Sequence, residues 1–212
     1  MHKLQRPAAP QCLSQYRHGQ HRWVDVASTD KSTMWQLFDQ MQQGRCAYCE
    51  SAISQAIGQH IEHFFQRRQG ARPQLIFDWS NLFGACLNHG YCADHKDQQT
   101  LLYDDTHLIK PDIDEPDDFF VFLDDGKVEP KTGLAATDHL RATETIRVFN
   151  LNSPSLVGKR AAAVGGQWQT VEELKDMAAE FDEADWRPLY DAELARASTE
   201  PFCTAMLHAL RF

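Results

Sequence analysis

Cysteines, histidines and a carboxylate able to bind a metal or move a proton cluster in the first half of the chain. They are Cys46-Ala-Tyr-Cys49, His60-Ile-Glu62-His63-Phe64, Trp79-Ser-Asn81-Leu82, Cys86 and Cys92, with His95-Lys96 close behind. A Cys-x-x-Cys knuckle followed by a second cysteine pair is a zinc pattern, because thiolates at those spacings can close a tetrahedron around Zn2+. The second pair is Cys-x5-Cys with His89 inside it, so either Cys92 or His89 can supply the fourth ligand. A redox role for Cys46 and Cys49 needs a buried strand before the motif and a helix opening at it. A polar Gln-Gln-Gly-Arg turn precedes it instead.

Between the pairs lies Glu62-His63. A histidine with an ordinary pKa of roughly 6.5 can take a proton from water near neutral pH. A carboxylate is a hard oxygen ligand for a divalent cation. Neighbouring strand residues face opposite ways, so Glu62 and His63 can serve one site only on a bent or terminal strand. His60 and Glu62 share a face and offer a second way to approach a metal. An isolated Glu-His pair would read as a solvated edge strand; between two cysteine pairs it reads as metal-assisted hydrolysis. Asn81 alone has an ordinary role as a cap or turn residue. His2, His18, His21, His107, His139 and His208 show no ligand spacing and are expected on the surface, while Cys12 and Cys203 are expected as small buried apolar residues.

Stepping outward, the chain has 212 residues, 42% of them hydrophobic and 24% charged, as expected of a globular protein with one sizeable core. No apolar run approaches the roughly 18–20 residues needed to cross a bilayer, and the basic start lacks the apolar stretch of a secretory signal. Six cysteines without such a signal point to metal binding in a reducing compartment. The net charge of -9 argues against tight independent binding to nucleic acid. Seven carboxylates fall within residues 112–125, whereas Arg67, Arg68 and Arg72, with Lys96 and Lys110 further on, give a local basic face beside the expected metal module.

Four segments must position these groups. Residues 1–43 form a Pro-broken arm followed by a helix over 32–43, which Gly44 ends. Residues 44–100 form the metal module, with a strand over 61–65, a polar loop over 66–73, and a turn into a helix from Asn81. Residues 101–136 hold a hairpin in which Asp124-Asp125-Gly126 joins 119–123 to 127–129. Residues 137–212 are helical, with helices over 137–149, from Thr170, and over 201–212. The expected fold class is α+β: a ββα-metal module with structural zinc in mostly helical surroundings.

Taken together, Cys46-x-x-Cys49, His60-Ile-Glu-His63-Phe64, Trp79-x-Asn81-Leu82, Cys86, Cys92 and Lys96 resemble the HNH nuclease family. The opening Leu4-Gln-Arg-Pro-x-x-Pro10, Gly44 to Glu50, Phe119 to Lys127 and Leu151-Asn152 are similar to the HNH subunit (PtuB-like) of Septu and retron-associated anti-phage systems. The resemblance implies a bacterial cytoplasmic endonuclease acting on DNA, with an SMC/ABC-type ATPase subunit (PtuA-like) as partner. It implies Glu62 and His95 as ligands of a catalytic divalent ion such as Mg2+, His63 as base, Asn81 as the residue orienting His63, and Arg67, Arg68 and Lys96 at the phosphates. The family places His or Asn directly after the last zinc cysteine; Ala93 stands there, leaving Asp94 and His95 as substitutes. An RNase, for example one cutting tRNA, and a non-catalytic zinc adaptor are the alternatives.

Overall fold

The computed structural model describes residues 1–67, 72–88, 90–98 and 102–211. Helix α1 (Ser28–Gln42) buries Met34, Phe38 and Met41 and ends where Gln43 and Gly44 both take positive φ. The chain then turns through the Cys46–Cys49 knuckle. Strand β1 (Gln59–His63) pairs antiparallel with β2 (Leu82–Cys86), setting His60 opposite Ala85 and Glu62 opposite Phe83. Two 3-10 turns, Pro73–Phe77 and Trp79–Asn81, lead into β2, and a five-residue helix α2 (Cys92–Lys96) follows it. The expected helix after Asn81 is therefore replaced by a strand, with the helix delayed to Cys92. The order β1, β2, α2 places a small antiparallel sheet and one helix around the histidine-rich stretch.

A short helix α3 (Pro116–Phe119) precedes the hairpin β3 (Phe120–Phe122) and β4 (Val128–Pro130), in which Val121 faces Glu129. Its turn depends on Gly126, whose φ is +85. Helix α4 (Ala136–Val148) lies close to the sequence expectation. The expected helix start at Thr170 is corrected: Thr170 lies inside α5 (Pro154–Glu180), which Ser153 caps by accepting from Leu156 N and which Pro154 opens. Helices α6 (Glu183–Thr199) and α7 (Cys203–Ala209) complete the chain.

One buried core runs from Met1 and Leu4 through Phe38, Tyr48, Phe64 and Phe83 to Phe149, Leu156 and Val164. A smaller one, with Val171, Leu174, Ala197, Met206 and Leu210, joins α5, α6 and α7. The large core is aromatic around the metal module: Tyr48 stacks on Phe149 at 4.3 Å, and Phe64 tilts against Phe83 at 6.1 Å. Each such side chain contributes about 1.5–3 kcal/mol on burial. The N-terminal arm straps this core. Arg6 donates to the Trp79 and Leu82 carbonyls at 2.7 and 2.9 Å, pairs with Asp112 at 2.6 Å, and lies over the Phe83 ring. Among the described residues no helix is long and apolar enough to cross a membrane.

Candidate metal centre and active-site cavity

Cys46, Cys49, Cys86 and Cys92 are all buried, and their sulfurs lie within 4.8 Å of one another. The knuckle brings two; the end of β2 and the start of α2 bring the others. Gln42 fixes the approach: its side chain donates to the Gly84 carbonyl at 2.8 Å and accepts from Gly84 N at 2.8 Å, tying the helix before the knuckle to β2. Cys46 and Cys92 sulfurs are 3.9 Å apart, and Cys49 and Cys86 sulfurs 3.8 Å. A tetrahedral zinc with bonds of about 2.3 Å has sulfur–sulfur edges of about 3.8 Å. The quartet is too open for disulfides and has the edge lengths for a metal such as zinc. Burial pushes the Cys46 and Cys92 thiols well above the ordinary range, while hydrogen bonds from its three neighbours lower Cys86. Cys92 thus completes a four-sulfur set; His89 lies outside the described residues.

The second centre lies at the end of β1. Glu62 and His63 share the wall of a cavity of about 170 Å3 with His60, Gln66, Arg67 and Asp97. His63 is the last residue of its strand, which lets two neighbours reach one space. Its Nε2 lies 3.0 Å from the Ile76 carbonyl. A carbonyl only accepts, so Nε2 carries the hydrogen and Nδ1 is left as the basic nitrogen of the neutral ring. Burial, with the Arg67 charge adding to it, lowers His63 to about 4. Trp23 packs edge-on against the ring at 4.6 Å.

Glu62 is the electrostatic counterpart. Burial alone would raise its pKa, but the Lys96 charge and the His60 contact hold it down at about 2. Lys96 Nζ lies 2.6 Å from Oε1, and His60 Nε2 lies 3.3 Å from Oε2. His60 Nδ1 is buried and has no hydrogen-bond partner among the described residues. Lys96 corrects the expectation of a phosphate contact: it is 0% exposed, and it donates to the His63 carbonyl at 2.9 Å and pairs with Asp97 at 3.0 Å. Arg67 is exposed at the cavity; Arg68 lies outside the described residues.

Asn81 makes no hydrogen bond to His63. Its Oδ1 accepts from Phe65 N at 2.7 Å, and its Nδ2 donates to the Phe65 and Leu75 carbonyls, both at 3.2 Å. It therefore pins the backbone next to Ile76, whose carbonyl orients His63. His95 is not brought to Glu62. Its Nδ1 lies 2.9 Å from the Val148 carbonyl of α4, and it is absent from the cavity wall. Cys92, which opens α2, has φ +54, and the helix that follows carries His95 toward α4 instead of Glu62. Asp94 lines a separate recess with His60, Cys86 and Asp97.

Sequence reasoning missed Asp97, which follows Lys96 directly, and Trp23, whose contact with His63 has no local signal. His2 and His208 are not free surface residues: His2 lies 2.8 Å from Glu50, and His208 is buried 2.6 Å from Asp117. Comparison with protein-family models and with curated proteins yields no match.

Proposed function

We propose that the chain is a metal-dependent HNH-type endonuclease that hydrolyses phosphodiester bonds, with DNA its favoured substrate and structural zinc in the cysteine quartet. The reading extends to a bacterial cytoplasmic effector acting in anti-phage defence beside an SMC/ABC-type ATPase. The observation that carries it is the cavity where a neutral, carbonyl-oriented His63 faces a carboxylate held ionised by a buried lysine. Such a pair supplies a base and an anionic ligand side by side, as hydrolysis of a phosphodiester requires.

Glu62 and Asp97 line one cavity, and Lys96 holds one oxygen of each. The second oxygen of each is what they offer a hydrated Mg2+, which commonly takes only one or two carboxylates. When bound, that ion would stabilise charge on the phosphate and on the leaving oxygen. His63 Nδ1 takes the proton from the attacking water. Ile76 holds the ring by its Nε2 hydrogen, and Asn81 fixes the loop that carries Ile76. Lys96 keeps Glu62 charged from behind the cavity wall. The ATPase partner is supported by exposed apolar side chains on the helical third, including Trp168, Phe181 and Leu189.

A second reading, a non-catalytic zinc adaptor, is favoured by the Lys96 contact that already neutralises Glu62 and by the orientation of His95 away from it. Incubating the purified chain with matched DNA and RNA, with and without Mg2+, separates the readings. Cleavage of RNA alone would move the assignment to an RNase, and no cleavage by the chain with its ATPase would favour the adaptor.

A further inference from the structure

We propose that the cleft beside the catalytic cavity binds the phosphodiester backbone of the strand flanking the scissile phosphate, an inference that rests on the nuclease reading. The cleft, of about 550 Å3, lies between residues 18–24 and the Pro73–Phe77 turn. That is the size range of a ligand site. Among the described residues its walls carry His18, His21, Arg22 and Arg67 and not one aspartate or glutamate, in a chain whose 30 acidic residues outnumber 21 basic ones. A carboxylate-free, donor-rich concavity on an acidic protein is complementary to a polyanion.

Its position joins it to the chemistry. Arg67 lines both this cleft and the cavity of Glu62 and His63. It is exposed, and it makes no ion pair or hydrogen bond with another described residue. Ile76 lines the cleft and orients His63 through its carbonyl. Trp23 forms part of the wall and touches the His63 ring. The Pro73–Phe77 turn packs against the opposite wall, where Phe77 stacks between Tyr16 at 5.5 Å and Trp23 at 6.3 Å. A strand whose scissile phosphate sits at His63 would therefore have its next phosphates along this wall. The guanidiniums of Arg22 and Arg67 suit that contact, since a planar fork can donate to phosphate oxygens in pairs. Arg22 is 81% exposed in its side chain. Its backbone N–H donates to Asp25 Oδ2 at 2.7 Å and its guanidinium to Oδ1 at a longer 3.3 Å, so most of the fork faces solvent.

The test is binding without cleavage. Labelled single-stranded DNA and RNA oligonucleotides are titrated with the full chain at low salt and no added divalent ion, and anisotropy is followed. The Arg22→Gln/Arg67→Gln double variant should bind about ten-fold more weakly, and its salt slope should fall by about 1.4 for two lost phosphate contacts. A control variant, Lys175→Gln/Arg187→Gln on α5 and α6, should stay within two-fold of wild type. The relative loss on DNA and RNA shows which backbone the cleft takes. Equal binding by the double variant and wild type, an equal loss in the control, or no binding by wild type would each overturn the proposal. Full cleavage with unchanged binding in the double variant would refute the cleft alone. Loss of binding in a protein that cuts nothing would refute the nuclease reading and leave the cleft.

Discussion

Replacing Lys96 by Met would expose how the cavity is held together. Lys96 is fully buried, 2.6 Å from Glu62 Oε1, and it also satisfies the His63 carbonyl at 2.9 Å. Methionine keeps much of the volume and removes the charge, leaving Glu62 buried and uncompensated. Breaking a buried pair from one side costs about 3–5 kcal/mol. The sign with pH is also fixed. In wild type Glu62 sits at about 2, below an unfolded value of about 4.3, so the pair contributes about 3 kcal/mol above that unfolded value. The contribution is lost as pH falls through the folded value. In Lys96→Met burial dominates, Glu62 is raised instead, and the penalty shrinks as acid protonates it. Urea unfolding with zinc present and no other divalent ion, at pH 7 and about pH 5, measures both effects. Adding Glu62→Gln to Lys96→Met should recover more than half of the loss at pH 7. A Lys96→Met protein within about 0.5 kcal/mol of wild type, or one that Glu62→Gln fails to rescue, would refute the reasoning.

Elemental analysis should find one zinc per chain, and Cys46→Ser or Cys86→Ser should lose it together with several kcal/mol of stability. Because burial keeps Cys46 and Cys92 protonated without metal, zinc uptake should release protons and tighten as pH rises, which calorimetry in buffers of different ionisation enthalpy would detect. Gly126→Ala should cost about 3 kcal/mol or more in thermal unfolding, since its φ is +85 and the new Cβ would meet Val157 O and, at 2.7 Å, Ala161 N in α5. Gly126→Asn should do no better, because the clash is with Cβ itself. His208 is lowered chiefly by burial, against the raising effect of Asp117, so the fold holds it neutral. Stability should then fall as pH drops below about 6.5, and His208→Gln should flatten that slope.

What the sequence made legible was the part set by residue type at fixed local spacing. Four cysteines announced a four-sulfur centre, Asp124-Asp125-Gly126 announced a hairpin, and Gly44 announced the end of α1. The long helix α5 was hidden for a physical reason. Its buried stripe is Leu156, Arg160, Val164, Gln167, Val171 and Leu174, a helical spacing in which a buried arginine and glutamine interrupt the apolar pattern. Gly158, Gly165 and Gly166 weakened it further, although the space beside each is open. The site itself was legible as a list of residues and less so as an arrangement. Whether His95 turns toward Glu62 depends on the left-handed backbone at Cys92 and on a carbonyl of α4, more than fifty residues away. The burial of Lys96 likewise follows from a tertiary partner, Glu62, on a different element.

The most direct test is nucleic-acid cleavage by the chain with the proposed ATPase partner, comparing wild type with His63→Ala in Mg2+. Cutting should require the added ion and disappear in His63→Ala, with zinc content unchanged and the protein still folded at the assay temperature. Full activity in His63→Ala would contradict it.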